Sequence, residues 1–179
     1  MKTDRMRWVG LCAVALLVLS TPALGQITTW TAGTDDDWND ATNWNSGIPI
    51  AGTTAVFGGG DAGGNIDVDV AAVAGGLRFE NGTGARTLSN NSITINGAPH
   101  SIITESDGLI TIASDLTLAG AEVEFNIGAN GMTVSGALAD AAGGLDKTGA
   151  GTLTLTGGTG GYTGPTTVTA GLLDVGAAT

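Results

Sequence analysis

The chain has 179 residues, with 17 acidic side chains against six Lys and Arg and a formal net charge of −11. Residues 26–179 alone hold 16 acids against Arg78, Arg86 and Lys147, a net charge of −13 that repels phosphate backbones and anionic lipid heads and excludes nucleic acid as a partner. One cysteine, Cys12, and one histidine, His100, leave no pair from which to build a zinc site, a disulfide or a His-based nucleophile system.

In chain order, the first segment reads as an export signal. Lys2, Arg5 and Arg7 charge the N-terminus, Trp8 to Leu19 is an uncharged apolar run, and Ala23-Leu24-Gly25 supplies small residues at the cleavage positions. The run of 12 residues is short of the roughly 20 that span a bilayer, so a cleavable signal over residues 1–25 is expected, with no membrane-spanning segment after it. Leu11 before Cys12 is too bulky for a lipoprotein site, so Cys12 is expected to leave with the signal. An exported, extracellular or cell-surface location follows.

Residues 26–64 differ in texture from the rest. They hold Trp30, Trp38 and Trp44 and the acidic turn Asp35-Asp36-Asp37-Trp38-Asn39-Asp40. Residues 65–179 hold no Trp and many short alternating runs. In order these are 66–70, 77–79, 92–95, 109–112, 116–118, 122–127, 132–134, 153–155, 167–169 and 172–175, each punctuated by Gly, Asn or Asp. Alternation with period two puts one set of side chains in a core and the other in water, and Gly, Asn and Asp supply the tight turns between. With 24 Thr in residues 26–179 and no window of helical apolar spacing, the fold class is all-β. Short strands with brief turns suit an antiparallel β-sandwich or a parallel β-solenoid. Runs starting near 66, 92, 109, 131, 152 and 172 recur at uneven steps around 20 residues, which both architectures accept.

Residues 143–157 read Gly-Gly-Leu-Asp-Lys-Thr-Gly-Ala-Gly-Thr-Leu-Thr-Leu-Thr-Gly, and Tyr162 to Leu172 follows as Tyr-Thr-Gly-Pro-Thr-Thr-Val-Thr-Ala-Gly-Leu. This segment, 143–175, resembles the autotransporter-associated β-strand repeat, also called the passenger-associated transport repeat. It departs from the pattern at Gly160, Pro165 and Leu172. The stretch from Thr28 through Trp44 to Phe57 looks like the lead-in of secreted bacterial proteins that carry such repeats. The resemblance implies a right-handed parallel β-helix (β-solenoid), displayed outside the cell, with an N-terminal Trp-containing cap over residues 26–64 and the solenoid over 65–179. Its repeats are structural and bring no catalytic residues. An autotransporter also has a membrane barrel of alternating strands of about ten residues, a pattern that residues 172–179 do not show.

On this reading Leu153, Leu155, Val168 and Leu172 or Leu173 fill the core, Thr152, Thr154 and Thr156 face out, and Gly149, Gly151, Gly157 and Gly164 take corners with φ > 0. Lys147 is expected to be a solvated corner residue, near Asp146 or Asp174. Trp30, Trp38 and Trp44 are the candidate carbohydrate-binding residues, through stacking on sugar rings; the competing expectation is that they cap the first coil, as repeat proteins require. Asp35, Asp36, Asp37 and Asp40 lack the alternating Asp and central Gly of a calcium loop and are expected to form a solvated turn. Asp67 with Asp69 shares a strand face, as the acidic calcium ligands of secreted β-helix polysaccharide lyases would, with only Arg78 near as a base, and Glu122 with Glu124 forms a similar row. A β-helix polysaccharide-active enzyme is the remaining alternative, and a solvated face is the default for both pairs. His100 falls in a loop. No catalysis, metal or cofactor is expected, and the candidate partners are extracellular glycans and other surface proteins.

Overall fold

The structure is a computed structural model that describes residues 25–33, 35–58, 64–80, 85–97, 101–105, 108–120, 122–140 and 143–176, without side-chain detail for 101–105. The expected signal, apart from Gly25, and His100 lie outside the described residues.

The strands are numbered along the chain. β1 (Gln26–Thr29) and a 3-10 turn (Ala41–Asn43) precede the stack. The first coil is β2 (Thr53–Gly58), β3 (Gly64–Val68) and β4 (Ala72–Ala74). The second is β5 (Gly76–Glu80), β6 (Arg86–Asn90) and β7 (Ile93–Ile95). The third is β8 (Ser101–Glu105), β9 (Ile110–Ile112) and β10 (Leu116–Leu118), and the fourth β11 (Glu122–Ile127), β12 (Met132–Val134) and β13 (Leu138–Asp140). A fifth coil has β14 (Gly144–Thr148) and β15 (Thr152–Leu155), and β16 (Thr166–Val168) with β17 (Leu172–Val175) begins another.

Each strand pairs in parallel with its equivalent one coil away, giving sheets ordered β1-β2-β5-β8-β11-β14-β16, β3-β6-β9-β12-β15-β17 and β4-β7-β10-β13. The chain is therefore an all-β parallel solenoid of about five turns, and the sandwich alternative is excluded: among the described residues every strand–strand pairing is parallel. Val123 stands beside Leu145, and Leu145 beside Thr166, so a coil takes about 22 residues.

Because side chains alternate in and out, stacking in register lines up apolar rows. Ile66, Leu88, Ile112, Val134 and Leu155 form one row, and Ile93, Leu116 and Leu138 another. All are buried, and each contributes about 1.5–3 kcal/mol through removal of its apolar surface from water. Thr87, Thr111, Thr133 and Thr154 form the matching outer row. The expected run at 92–95 belongs to a different sheet from the runs at 66, 109, 131, 152 and 172, which explains the uneven steps. The missing member of their series is β6, whose Arg-Thr-Leu-Ser-Asn composition hides its inward Leu88.

The two ends differ. At the first coil Trp30, Trp38 and Trp44 pack on one another and on Phe57, which stacks on Phe79 with ring centroids 5.1 Å apart. At the other end Val168, expected in the core, is 48% exposed, although it stands in register with inward Lys147. It lies on the last described coil and nothing described covers it. Leu173 packs against the core from the same coil, while Leu172 and Val175 are exposed.

Candidate functional site

The acidic turn is built as a clasp between the N-terminal segment and the first coil. Asp40 caps the 3-10 turn, its Oδ1 accepting from the Thr42 N–H and hydroxyl at 2.8 Å each. The buried Asn43 donates from Nδ2 to Asp35 Oδ1 at 2.7 Å and to the Asp37 carbonyl at 2.9 Å. The Trp38 N–H donates to the Asp67 carbonyl and the Asp67 N–H to the Asp36 carbonyl, so this turn adds a short rung beside β3. The Asn39 N–H donates to Asp69 Oδ1 at 2.9 Å, and Asp67 Oδ1 accepts from Asn90 Nδ2 at 2.6 Å.

Asp37 sits among these acids with its carboxyl pKa raised, first by partial desolvation and then by Asp35, Asp69, Asp67 and Asp40. A folded-state pKa above the unfolded value means that the ionised carboxylate opposes folding at neutral pH. The penalty is relieved as pH falls through the folded pKa. The melting temperature is therefore expected to rise in Asp37→Asn at neutral pH, with the difference from the parent shrinking on acidification. Melting curves across the acidic range check this; a lowered melting temperature in Asp37→Asn at neutral pH would refute it. Among the described residues no group of three or more acidic or His/Cys side chains is arranged to hold a metal ion.

Trp30, Trp38 and Trp44, the candidate sugar platform, are 4%, 1% and 4% exposed. Their rings meet edge to face, Trp30 on Trp44 at 5.1 Å and Trp38 on Trp44 at 5.0 Å, and Trp44 Nε1 donates to the Trp38 carbonyl at 2.8 Å. Ring faces engaged in this way are not presented to solvent for stacking. Glu124 accepts from the Thr148 hydroxyl at 2.7 Å, and Glu122 is exposed beside it on β11.

Lys147 is the clearest correction to the sequence reading. It is not a solvated corner residue: it points inward on β14, in register between Phe125 and Val168, and is fully buried. Burial lowers its pKa. Its Nζ donates to the carbonyls of Thr148 (2.6 Å), Gly149 (2.9 Å) and Ala170 (3.2 Å), using all three donors of an ammonium. The Ala170 bond reaches the next coil, so the side chain ties two corners together. Those corners are shaped by Gly149 at φ +72° and Gly171 at φ +71°. The other expected corner glycines serve a different purpose: a Cβ on Gly151, Gly157 or Gly164 would lie 1.7, 1.9 or 2.0 Å from a carbonyl oxygen of the coil beneath. The signal available in the sequence was a single cation flanked by glycines at fixed offsets.

Tyr162 completes the segment, its hydroxyl donating to the Pro165 carbonyl at 2.6 Å. The Thr163 N–H donates to Asp140 Oδ2 at 3.1 Å, and the Thr169 hydroxyl to Asp146 Oδ1 at 3.1 Å, each across one coil.

Residues 145–175 match the passenger-associated-transport-repeat family model. No curated protein and no solved structure matches the chain. The matched segment runs from β14 to β17, with Leu153 and Leu155 inward, Thr152 and Thr154 outward and Lys147 buried on β14. Within the repeat Lys147, Thr148, Thr163 and Thr169 each bond to a neighbouring coil.

Proposed function

We propose that this chain is an exported, non-catalytic passenger-like solenoid with a structural or adhesive role at the cell surface or outside the cell. The match of the repeat at 145–175 carries the reading, since passenger-associated repeats belong to secreted or surface-displayed proteins. Two further observations support it. The parallel solenoid gives an elongated scaffold without cysteines in residues 26–179, and the leader reads as a signal for export. In this reading the Trp cluster closes the hydrophobic end of the first coil, which a stack of repeats requires for solubility. Its rings serve the stack in preference to a sugar.

The experiment is to express the chain with an epitope tag in a Gram-negative host and treat intact cells with protease. The expected result is tag in the medium, or tag on the cells that protease removes without lysis. Tag confined to the cytoplasm and intact until lysis would overturn the reading.

A further inference from the structure

The first coil is covered unevenly. β1 extends the sheet of β2, and the Asp36–Trp38 turn extends that of β3, but the third sheet ends at β4. Where the next strand of that sheet would lie there is a groove of about 370 Å³, lined by Trp38, Ile48, Pro49, Ile50, Val70 and Val73 among others. Among the described residues no strand pairs with the outer edge of β4, which lies in this direction. The Ala72 N–H donates to the Ser92 carbonyl and the Ala74 carbonyl accepts from the Asn96 N–H, so the peptide groups of both alanines turn toward β7. By the alternation of a strand, the N–H and C=O of Val73 turn the other way, to the open edge.

The groove is apolar and its flanks are acidic. Ile50, Val70 and Val73 are exposed, while Asp37 and Asp40 bracket Trp38 and Asn39, and Asp69 precedes Val70. The carboxylates of Asp40 and Asp69 accept backbone N–H bonds from Thr42 and Asn39. Arg78, the nearest cation in the first two coils apart from buried Arg86, is held by Glu80 at 2.8 Å. Independently of charge, Trp38 is among the residues lining the groove, and its buried indole Nε1 has no hydrogen-bond partner. A buried donor of this kind calls for an acceptor oxygen.

We propose that the groove takes up an extended peptide segment of alternating apolar and basic residues, which adds as a further strand to the free edge of β4. Main-chain bonds to Val73 hold it, its apolar side chains fill the groove against Ile48, Ile50 and Val70, and its basic residues meet Asp37, Asp40 and Asp69. This is strand addition, in which main-chain bonds give affinity and alternate side chains give selectivity. The inference concerns a partner and stands or falls separately from the export reading.

The test is fluorescence anisotropy of the full chain with a labelled peptide of alternating Lys and Val. Controls are a Glu–Val peptide and a Lys–Val peptide N-methylated at alternate backbone positions. Binding is expected to be at least tenfold tighter for Lys–Val than for Glu–Val, to weaken with salt, and to be lost on N-methylation. Val73→Pro, tolerated on an edge because its N–H is unused, is expected to weaken binding at least tenfold with an unchanged circular dichroism spectrum. Asp37→Asn with Asp69→Asn is expected to weaken it severalfold. No Lys–Val binding at millimolar peptide would overturn the proposal. So would equal affinity for Glu–Val, equal affinity for the N-methylated peptide, or full binding by Val73→Pro.

Discussion

Gly151→Ala is expected to destabilise the fold by about 3 kcal/mol and lower its melting temperature by roughly 6–12 °C. A Cβ at Gly151 would stand 1.7 Å from the Gly128 carbonyl oxygen and 2.7 Å from its carbon. Both are backbone atoms of the coil beneath, so no side chain can swing away. Relief requires the fifth coil to lift from the fourth, which breaks the Gly151 N–H bond to the Ile127 carbonyl at 3.0 Å. Gly158 is the internal control. It lies in the same repeat, and a Cβ there meets nothing within 4 Å. Gly158→Ala is expected to change stability by less than about 1 kcal/mol, in the stabilising direction, because Ala has fewer unfolded conformations than Gly. Thermal melts of the two variants separate close approach from a general intolerance of substitution; equal melting temperatures would show that the coils do not approach as described.

Lys147→Met is expected to cost about 3 kcal/mol. The methionine matches the length and the inward row but leaves the Thr148, Gly149 and Ala170 carbonyls without their shared donor. Charged hydrogen bonds are worth more than neutral ones, and removal of one partner from a buried charged arrangement is costly. Relief of the ammonium's own desolvation offsets part of the loss, which is why the cost falls short of three full bonds. Thermal denaturation measures the total, and amide exchange in β16 and β17 measures the local part, since the Ala170 bond links these strands to β14. A melting temperature equal to that of the parent would mean that Lys147 is solvated after all.

The strand positions were legible because period-two alternation with glycine punctuation is a local signal. The runs at 116–118, 122–127, 132–134 and 172–175 coincide with strands to the residue. What escaped notice was composition outside that signal. β4 is Ala-Val-Ala and β13 is Leu-Ala-Asp, too small or too polar to stand out, and β6 carries Arg86 at an inward, buried position. Without those three strands the alternating runs do not distinguish a three-sheet solenoid from a sandwich. Lys147 departs from expectation for a related reason. A lone cation is by default solvated, and three backbone carbonyls converging on it come from two coils whose stacking no local pattern announces. The groove beside β4 was illegible too, because it is defined by a strand that the first coil lacks.

The strands meet their partners 20 to 27 residues away, with 22 typical, and this spacing bears on how such a chain acquires its shape. Every added coil closes a loop of similar size, at an entropic cost of about 3 kcal/mol that does not grow with the length already formed. The molecule therefore lengthens by one strand spacing, about 4.8 Å, for each coil laid down. A stack of this kind can zip from one formed coil to the next, and its reach is set by the number of repeats rather than by the size of any core.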